Sequence, residues 1–242
     1  MDSAGLVIFD FDDTLVETSF LYTEATDEYV DLVSFWGFDR QLVRTTFLEH
    51  DRLAMETHGF GKRCRFPDSM EATLRAIWVP GGAVGVEPFA WMVKAVRSIG
   101  FSVFRRHSVS KPDLHEALGT LHGFGYELRL HTMGDPAVQQ KRIDHAGIRE
   151  YFWHINIPSA KDSDELEAMC YGYPKGSIWS VGDSVRSDIM PSLMLGLKTI
   201  RVYADACRPG YDTTQDVAHG NYWHAPSLKT AVDIILAEDG LQ

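Results

Sequence analysis

The sequence predicts an α/β fold: an open parallel-sheet, Rossmann-like core with an inserted helical domain. Three observations carry this. Short apolar runs of strand length recur along the chain, helical patterns separate most of them, and one long helical stretch interrupts the rhythm after the first strand. The first run, Leu6-Val7-Ile8-Phe9, is apolar at every position, as a strand covered on both faces must be. Similar runs follow at 126–131, 151–157, 177–181 and 198–203. Between and after them, helices are expected at 136–147, 163–171, 185–195 and 228–238. The first of these has Asp135 as N-cap, Pro136 at its first position and Gly147 as its stop, while Gly196 stops the third. Strands alternating with helices imply an open, parallel-stranded sheet.

Residues 19–107 break the alternation and read as helices over 22–35, 39–57, 68–79 and 88–98. The second ends near Gly59. The third begins at a capping box, Asp68-x-x-Glu71, and ends before Pro80-Gly81-Gly82, and the fourth stops at Gly100. The expected organisation is therefore a core of residues 1–18 and 108–242 with a helical insertion at 19–107.

Composition narrows the function classes. The 242 residues are 45% hydrophobic and 24% charged, which suits a folded globular chain. With 34 acidic and 23 basic residues the formal net charge is −11, which disfavours nucleic acid or an anionic membrane surface as a partner. A local pocket for a small anion remains compatible with that charge. No apolar run approaches the roughly 18–20 residues of a membrane span, and the first residues lack a basic start followed by an apolar stretch. Cys64, Cys170 and Cys207 are odd in number and far apart, unlike a disulfide framework or zinc cluster. A cytoplasmic protein is expected, as monomer or homodimer.

The sharpest local feature is Asp10-Phe11-Asp12-Asp13-Thr14, directly after the first apolar run. Ligands of open α/β sheets bind at the carboxyl ends of strands. Like charges gathered there repel and resist desolvation, and a divalent cation would offset that cost. An acidic loop with Asp12 or Asp13 as N-cap would look the same in isolation. A second acidic pair, Asp183 and Asp188, follows the strand 177–181, with Gly182 permitting a tight turn. Singly, an N-cap and a solvated helix residue would explain them. Thr132 ends the strand 126–131, where its hydroxyl and nearby backbone N–H groups could hold a phosphate oxygen or serve turn chemistry. Lys161 follows the next strand and could neutralise a phosphoryl group or lie exposed.

Taken together, these segments resemble the haloacid dehalogenase-like hydrolase superfamily, in its phosphatase branch. Asp10 to Thr14 matches its first motif, Leu128 to Thr132 its second, Lys161 its third, and Gly182, Asp183 and Asp188 its fourth, in the family's order. The segments Asp135-Pro136-x-x-Gln139 and Gly182-Asp183-Ser184-x-Arg186-Ser187-Asp188 also look typical. The resemblance implies that the helical insertion is a cap. It implies a Mg²⁺-dependent phosphatase acting on a small phosphorylated metabolite, a nucleotide or sugar phosphate, through an aspartyl-phosphate. Asp10 would be the nucleophile and Asp12 the general acid and base. Thr14, Thr132, Met133 and Lys161 would hold the phosphoryl group. Asp10, the Asp12 backbone carbonyl and Asp183 would hold the metal, with Asp188 supporting that shell or orienting Lys161. A phosphomutase, a dehalogenase and a non-catalytic binding protein are the alternatives. An acid at Asp12 suits an alkoxide leaving group, which favours phosphoester hydrolysis over carbon–halogen cleavage.

The insertion carries no substrate motif. Lys62-Arg63-Cys64-Arg65 and Arg105-Arg106-His107 could attract an anion or form solvated loops. Phe35, Trp36, Phe38, Trp78 and Trp91 could stack a base or pack as core, and Phe20 and Tyr22 are candidates for an entrance lining. His131 reads as a packed histidine, and His154 and His224 lack metal-ligand spacing.

Overall fold

The computed structural model describes residues 4–59, 62–78, 87–203, 217 and 219–241. These form two compact units: the described residues up to Thr18 and from His107 onward, and Ser19–Arg106. In chain order the elements are β1 (Gly5–Phe9), β2 (Val16–Glu17), α1 (Ser19–Phe35), α2 (Arg40–His58), α3 (Arg65–Ile77), α4 (Ala90–Ser102), β3 (Val109–Ser110) and α5 (Leu114–Gly123). They continue with β4 (Tyr126–His131), α6 (Pro136–Ala146), β5 (His154–Asn156), α7 (Ser163–Met169), β6 (Ile178–Gly182), α8 (Met190–Met194), β7 (Lys198–Val202), β8 (Tyr222–Ala225) and α9 (Leu228–Glu238). Pro80, Gly81, Gly82 and Cys207 lie outside the described residues.

The first unit is an α/β layer structure. Its sheet has the order β5-β4-β1-β6-β7-β8, with every neighbouring pair parallel. The alternating pleat sends Val7 and Phe9 of β1 into a core shared with α5, α6 and α9, and Leu6 and Ile8 into a second core with Leu166 and Met169 of α7. A strand so covered must be apolar throughout, and each such side chain contributes about 1.5–3 kcal/mol of burial. The strand order reverses between β1 and β6, which places their carboxyl ends at a topological switch point. Strand β2 pairs antiparallel with β3 in a separate two-stranded ribbon.

Several boundaries depart from expectation, each for a local reason. The strand expected at 151–157 is only β5, because Arg149–Tyr151 forms a 3₁₀ turn and pairing begins where Trp153 N donates to Leu128 O at 2.9 Å. As an edge strand it is short, which limits unpaired backbone. The helix expected at 185–195 divides into a π-helical turn, Val185–Ile189, and α8. Pro191 has no N–H to donate into a continuous helix, and the wider turn lies immediately before it. Helix α5 and strand β8 were not expected from the sequence.

The second unit packs α1 to α4 around Leu21, Tyr29, Phe47, Phe66, Met70 and Val96. The capping box at Asp68 is corrected: α3 starts at Arg65, and Asp68 and Glu71 both accept from Arg97 at 2.6 Å. Gly100 does not stop α4, which runs on to Ser102. A Cβ there would lie 2.7 Å from Pro67 Cα, so the glycine serves the close approach of α3 and α4. Much of the basic and aromatic clusters is used internally. Arg65 is buried in an ion pair with Asp51, Arg63 lies over the Phe101 and Phe104 rings, and Arg106 pairs with Glu24 and Glu28. Trp36 meets Trp91 edge-on, Phe38 meets Trp78, and Tyr22 meets Phe66 edge-on. Phe20 packs against the same core, and Phe35 is 86% exposed. Among the described residues no helix is long and apolar enough to cross a membrane.

At the amino end of the sheet, Asp239 caps α9 and ties three strands to it. It accepts from Tyr126 Oη at 2.7 Å, Trp179 Nε1 at 3.0 Å and Lys198 Nζ at 2.5 Å. Burial alone would raise its pKa, but these bonds and the Lys198 charge outweigh burial and hold it below the usual carboxylate range. A depressed folded-state pKa stabilises the fold above the unfolded value, near 4, and the contribution is lost as pH falls through the folded value. Asp239→Asn should therefore cost about 1–3 kcal/mol at neutral pH. In urea unfolding, the gap from the parent should shrink below about pH 4.

Candidate active site

Five residues from three chain segments meet at the carboxyl ends of β1 and β6. Asp10 extends β1 by one ladder bond, its N–H donating to Val181 O at 2.9 Å. The chain then turns sharply through Asp13, the only non-glycine with positive φ (61°) among the described residues. Aspartate tolerates this conformation better than most residues. Asp13 Oδ1 accepts from Thr18 N at 2.8 Å, and Asp13 N donates to Val16 O at 2.7 Å. The turn aims Thr14 Oγ1 back at Asp10 Oδ2, 3.0 Å away, and towards Asp183 Oδ1 at 3.5 Å.

Gly182 closes β6 for a steric reason. A Cβ there would lie 2.5 Å from Asp188 Cβ, so only glycine lets Asp188 reach the strand end. Asp188 Oδ2 accepts from Ser184 N at 3.0 Å, and Arg201 Nε on β7 holds Asp183 O at 2.9 Å. Lys161 bridges the two acidic segments, donating to Asp10 Oδ1 at 2.5 Å and Asp188 Oδ1 at 2.7 Å, with only 5% of its side chain exposed.

Asp10, Asp183 and Asp188 each offer an oxygen within 4.8 Å of the others. Burial pushes the Asp10 pKa up; Lys161 pulls it back and Asp188 raises it, leaving it at about 7. Asp183 is also raised well above the usual carboxylate value, by burial first and then by Asp188, Asp10 and Asp13. Burial would lower the Lys161 pKa, but Asp10 and Asp188 hold it above the ordinary lysine value. When ionised, three carboxylates face one ammonium, a local excess of two negative charges. A hard divalent cation matches both that excess and an all-oxygen donor set, so these residues fit Mg²⁺.

The Asp12 side chain lies outside this carboxylate cluster. Its Oδ2 accepts from Gln139 Nε2 at 2.7 Å and its Oδ1 from Arg142 Nη1 at 3.1 Å. This agrees with the resemblance, which assigns the metal role of Asp12 to its backbone carbonyl and not to its carboxylate. Thr132 directly follows β4 and is buried, its hydroxyl 2.8 Å from Gln139 Nε2. Its own N–H is spent on Asn156 O at 3.1 Å in the ladder, which leaves only the hydroxyl for a phosphate oxygen. Met133 follows, its carbonyl 3.4 Å from Gln139 Nε2. His131 is packed, and burial together with Lys161 lowers its pKa to about 3. His224 Nδ1 bonds Tyr203 Oη at 2.7 Å, and His154 is exposed on β5.

The sequence reading missed the contacts of Arg142 and Arg201. Both are arginines buried within regular elements, a combination that asks for a partner. Removing Lys161 leaves buried carboxylates uncompensated. Lys161→Met should cost about 3–5 kcal/mol of stability. Added Mg²⁺ should recover part of the loss, and thermal unfolding with and without the cation measures both.

The chain matches the haloacid dehalogenase-like hydrolase family over residues 5–190. No curated protein matches it. It is similar in fold to a haloacid dehalogenase-like family hydrolase from Xanthomonas campestris, at 22% identity and TM-score 0.73, covering 99% of both chains. It is also similar to the putative HAD-hydrolase YfnB from Bacillus subtilis bound to magnesium, at 15% identity and TM-score 0.65, covering 96% of this chain and 98% of that one. The L-2-haloacid dehalogenase from Xanthobacter autotrophicus is similar at 15% identity and TM-score 0.60, with the same coverage. At such identities the structural likeness speaks for the fold, and the match over residues 5–190 for the family. This chain belongs to the haloacid dehalogenase-like hydrolases.

Proposed function

We propose that this hydrolase is a Mg²⁺-dependent phosphatase that cleaves a small phosphorylated metabolite, a nucleotide or sugar phosphate, in the cytoplasm. One observation carries the choice over carbon–halogen cleavage. Asp12 stands two residues from Asp10, yet its carboxylate is held separately by Gln139 and Arg142 and is 29% exposed. A halide leaves as a stable anion without a proton, whereas an alkoxide needs one.

In this reading an Asp10 oxygen attacks phosphorus, the bond from phosphorus to the ester oxygen breaks, and Asp12 gives its proton to that oxygen. The alcohol departs and Asp12 is left as a carboxylate. It then accepts a proton from a water that attacks the aspartyl-phosphate, which releases inorganic phosphate and restores Asp10. Lys161 keeps Asp10 ionised and, with the Thr132 hydroxyl, donates to phosphoryl oxygens. Asp10, Asp183 and the Asp12 carbonyl would hold Mg²⁺, which when bound offsets repulsion between the nucleophile and the anionic substrate. Asp188 fixes Lys161 from behind. The helical unit acts as the cap and selects the leaving group.

An aryl phosphate assay tests this. Phosphate release should require Mg²⁺, stop with a chelator, and fall by about 10⁴-fold or more in Asp10→Asn. Release that persists in the variant overturns the nucleophile assignment. Halide release from a haloacid without added metal would favour the dehalogenase instead.

A further inference from the structure

Gln139 and Arg142 stand three residues apart on α6, so they share one helix face. Only 2% of Gln139 and 6% of Arg142 is exposed. Burying an amide and a guanidinium on an otherwise ordinary helix is unfavourable unless their partners repay the desolvation. Each donates to one oxygen of Asp12, Gln139 Nε2 at 2.7 Å and Arg142 Nη1 at 3.1 Å. Gln139 Nε2 also lies 2.8 Å from Thr132 Oγ1, so one amide group spans the acid/base and a phosphoryl-holding hydroxyl.

The backbone is arranged around this contact. Asp135 caps α6, accepting from Val138 N at 3.0 Å, which starts the helix just after the β4 loop. A Cβ on Gly134 would crowd Gln139 Cγ at 3.1 Å, so the glycine leaves room for the Gln139 stem. Asp12 itself stays 29% exposed, while its two holders are buried.

We infer that Gln139 and Arg142 are positioning residues that aim the Asp12 carboxyl group at the departing ester oxygen, which equips the enzyme for unactivated alkyl phosphates. This rests on the phosphatase reading and deepens it. Two donors on two different oxygens fix the carboxyl plane, whereas one would leave it free to rotate. Aim matters in proportion to how badly the leaving group needs its proton. An alkoxide needs it during bond cleavage, while a nitrophenolate leaves well without it.

The test compares p-nitrophenyl phosphate with an alkyl monoester such as glycerol phosphate or a sugar phosphate, using the parent, Arg142→Met, Arg142→Lys and Gln139→Leu. Thermal unfolding accompanies each variant. Arg142→Met and Gln139→Leu should lose about 10²-fold or more in kcat on the alkyl ester and only a few-fold on the aryl ester. Arg142→Lys should recover part of the alkyl activity. Equal losses on both esters, or losses that merely track a fall in melting temperature, overturn the positioning role and leave the phosphatase reading standing. A parent chain that hydrolyses neither ester nor any of a panel of phosphorylated metabolites overturns the phosphatase reading itself, and the clamp with it.

Discussion

The Lys161 ammonium between Asp10 and Asp188 is the contact on which the rest of the site depends. The parallel sheet brings the ends of β1 and β6 side by side, and both ends carry acid. Without a counter-charge, three carboxylates within 4.8 Å of one another could not all stay ionised in a buried place. One lysine leaves an excess of two negative charges, and burial first, with the neighbouring carboxylates adding to it, raises the pKa values of Asp10 and Asp183. Burying charge this way costs stability on its own, so its presence argues for a task beyond holding the fold together.

The two ends of the sheet are built on opposite electrostatic plans. At the amino ends one carboxylate, Asp239, meets three donors and its charge is fully answered. At the carboxyl ends the donors are outnumbered by acceptors. The first arrangement ties strands β4, β6 and β7 to α9 and stiffens the frame; the second concentrates unmet charge where a ligand can answer it. Gly182 shows how closely the backbone serves the second plan, since one added methyl group would collide with Asp188.

How much of this could be read from the chain depended on whether the signal was local. The apolar run of β1, the acids behind β1 and β6, and the Asp135-Pro136 start of α6 are all written in neighbouring residues, and the sheet follows from them. That Asp10, Asp183 and Asp188 stand together follows in turn from strand order. What local pattern could not supply was partnership across the chain. Asp68-x-x-Glu71 has the spacing of a cap, yet both side chains turn to Arg97, 29 and 26 residues away. Gly100 has the look of a helix stop, yet its reason is the approach of Pro67. The hold of Gln139 and Arg142 on Asp12 spans 127 and 130 residues, beyond any periodicity. In the helical unit, Arg65, Arg63 and several of the aromatic residues that suggested ligand contacts are drawn into internal ion pairs and ring packing, while Phe35 stays exposed.

In the proposed reading, the distinction between phosphoryl and halide chemistry turns on that long-range hold. The resemblance implies a carboxylate nucleophile for both reactions. They differ in the fate of the leaving atom. A site that only displaces halide gains nothing from a second carboxylate fixed at both oxygens, because no proton need reach the departing ion. This chain buries a glutamine and an arginine to fix one. In the proposed reading, desolvating those two groups makes physical sense because proton delivery to the ester of an ordinary alcohol limits the rate.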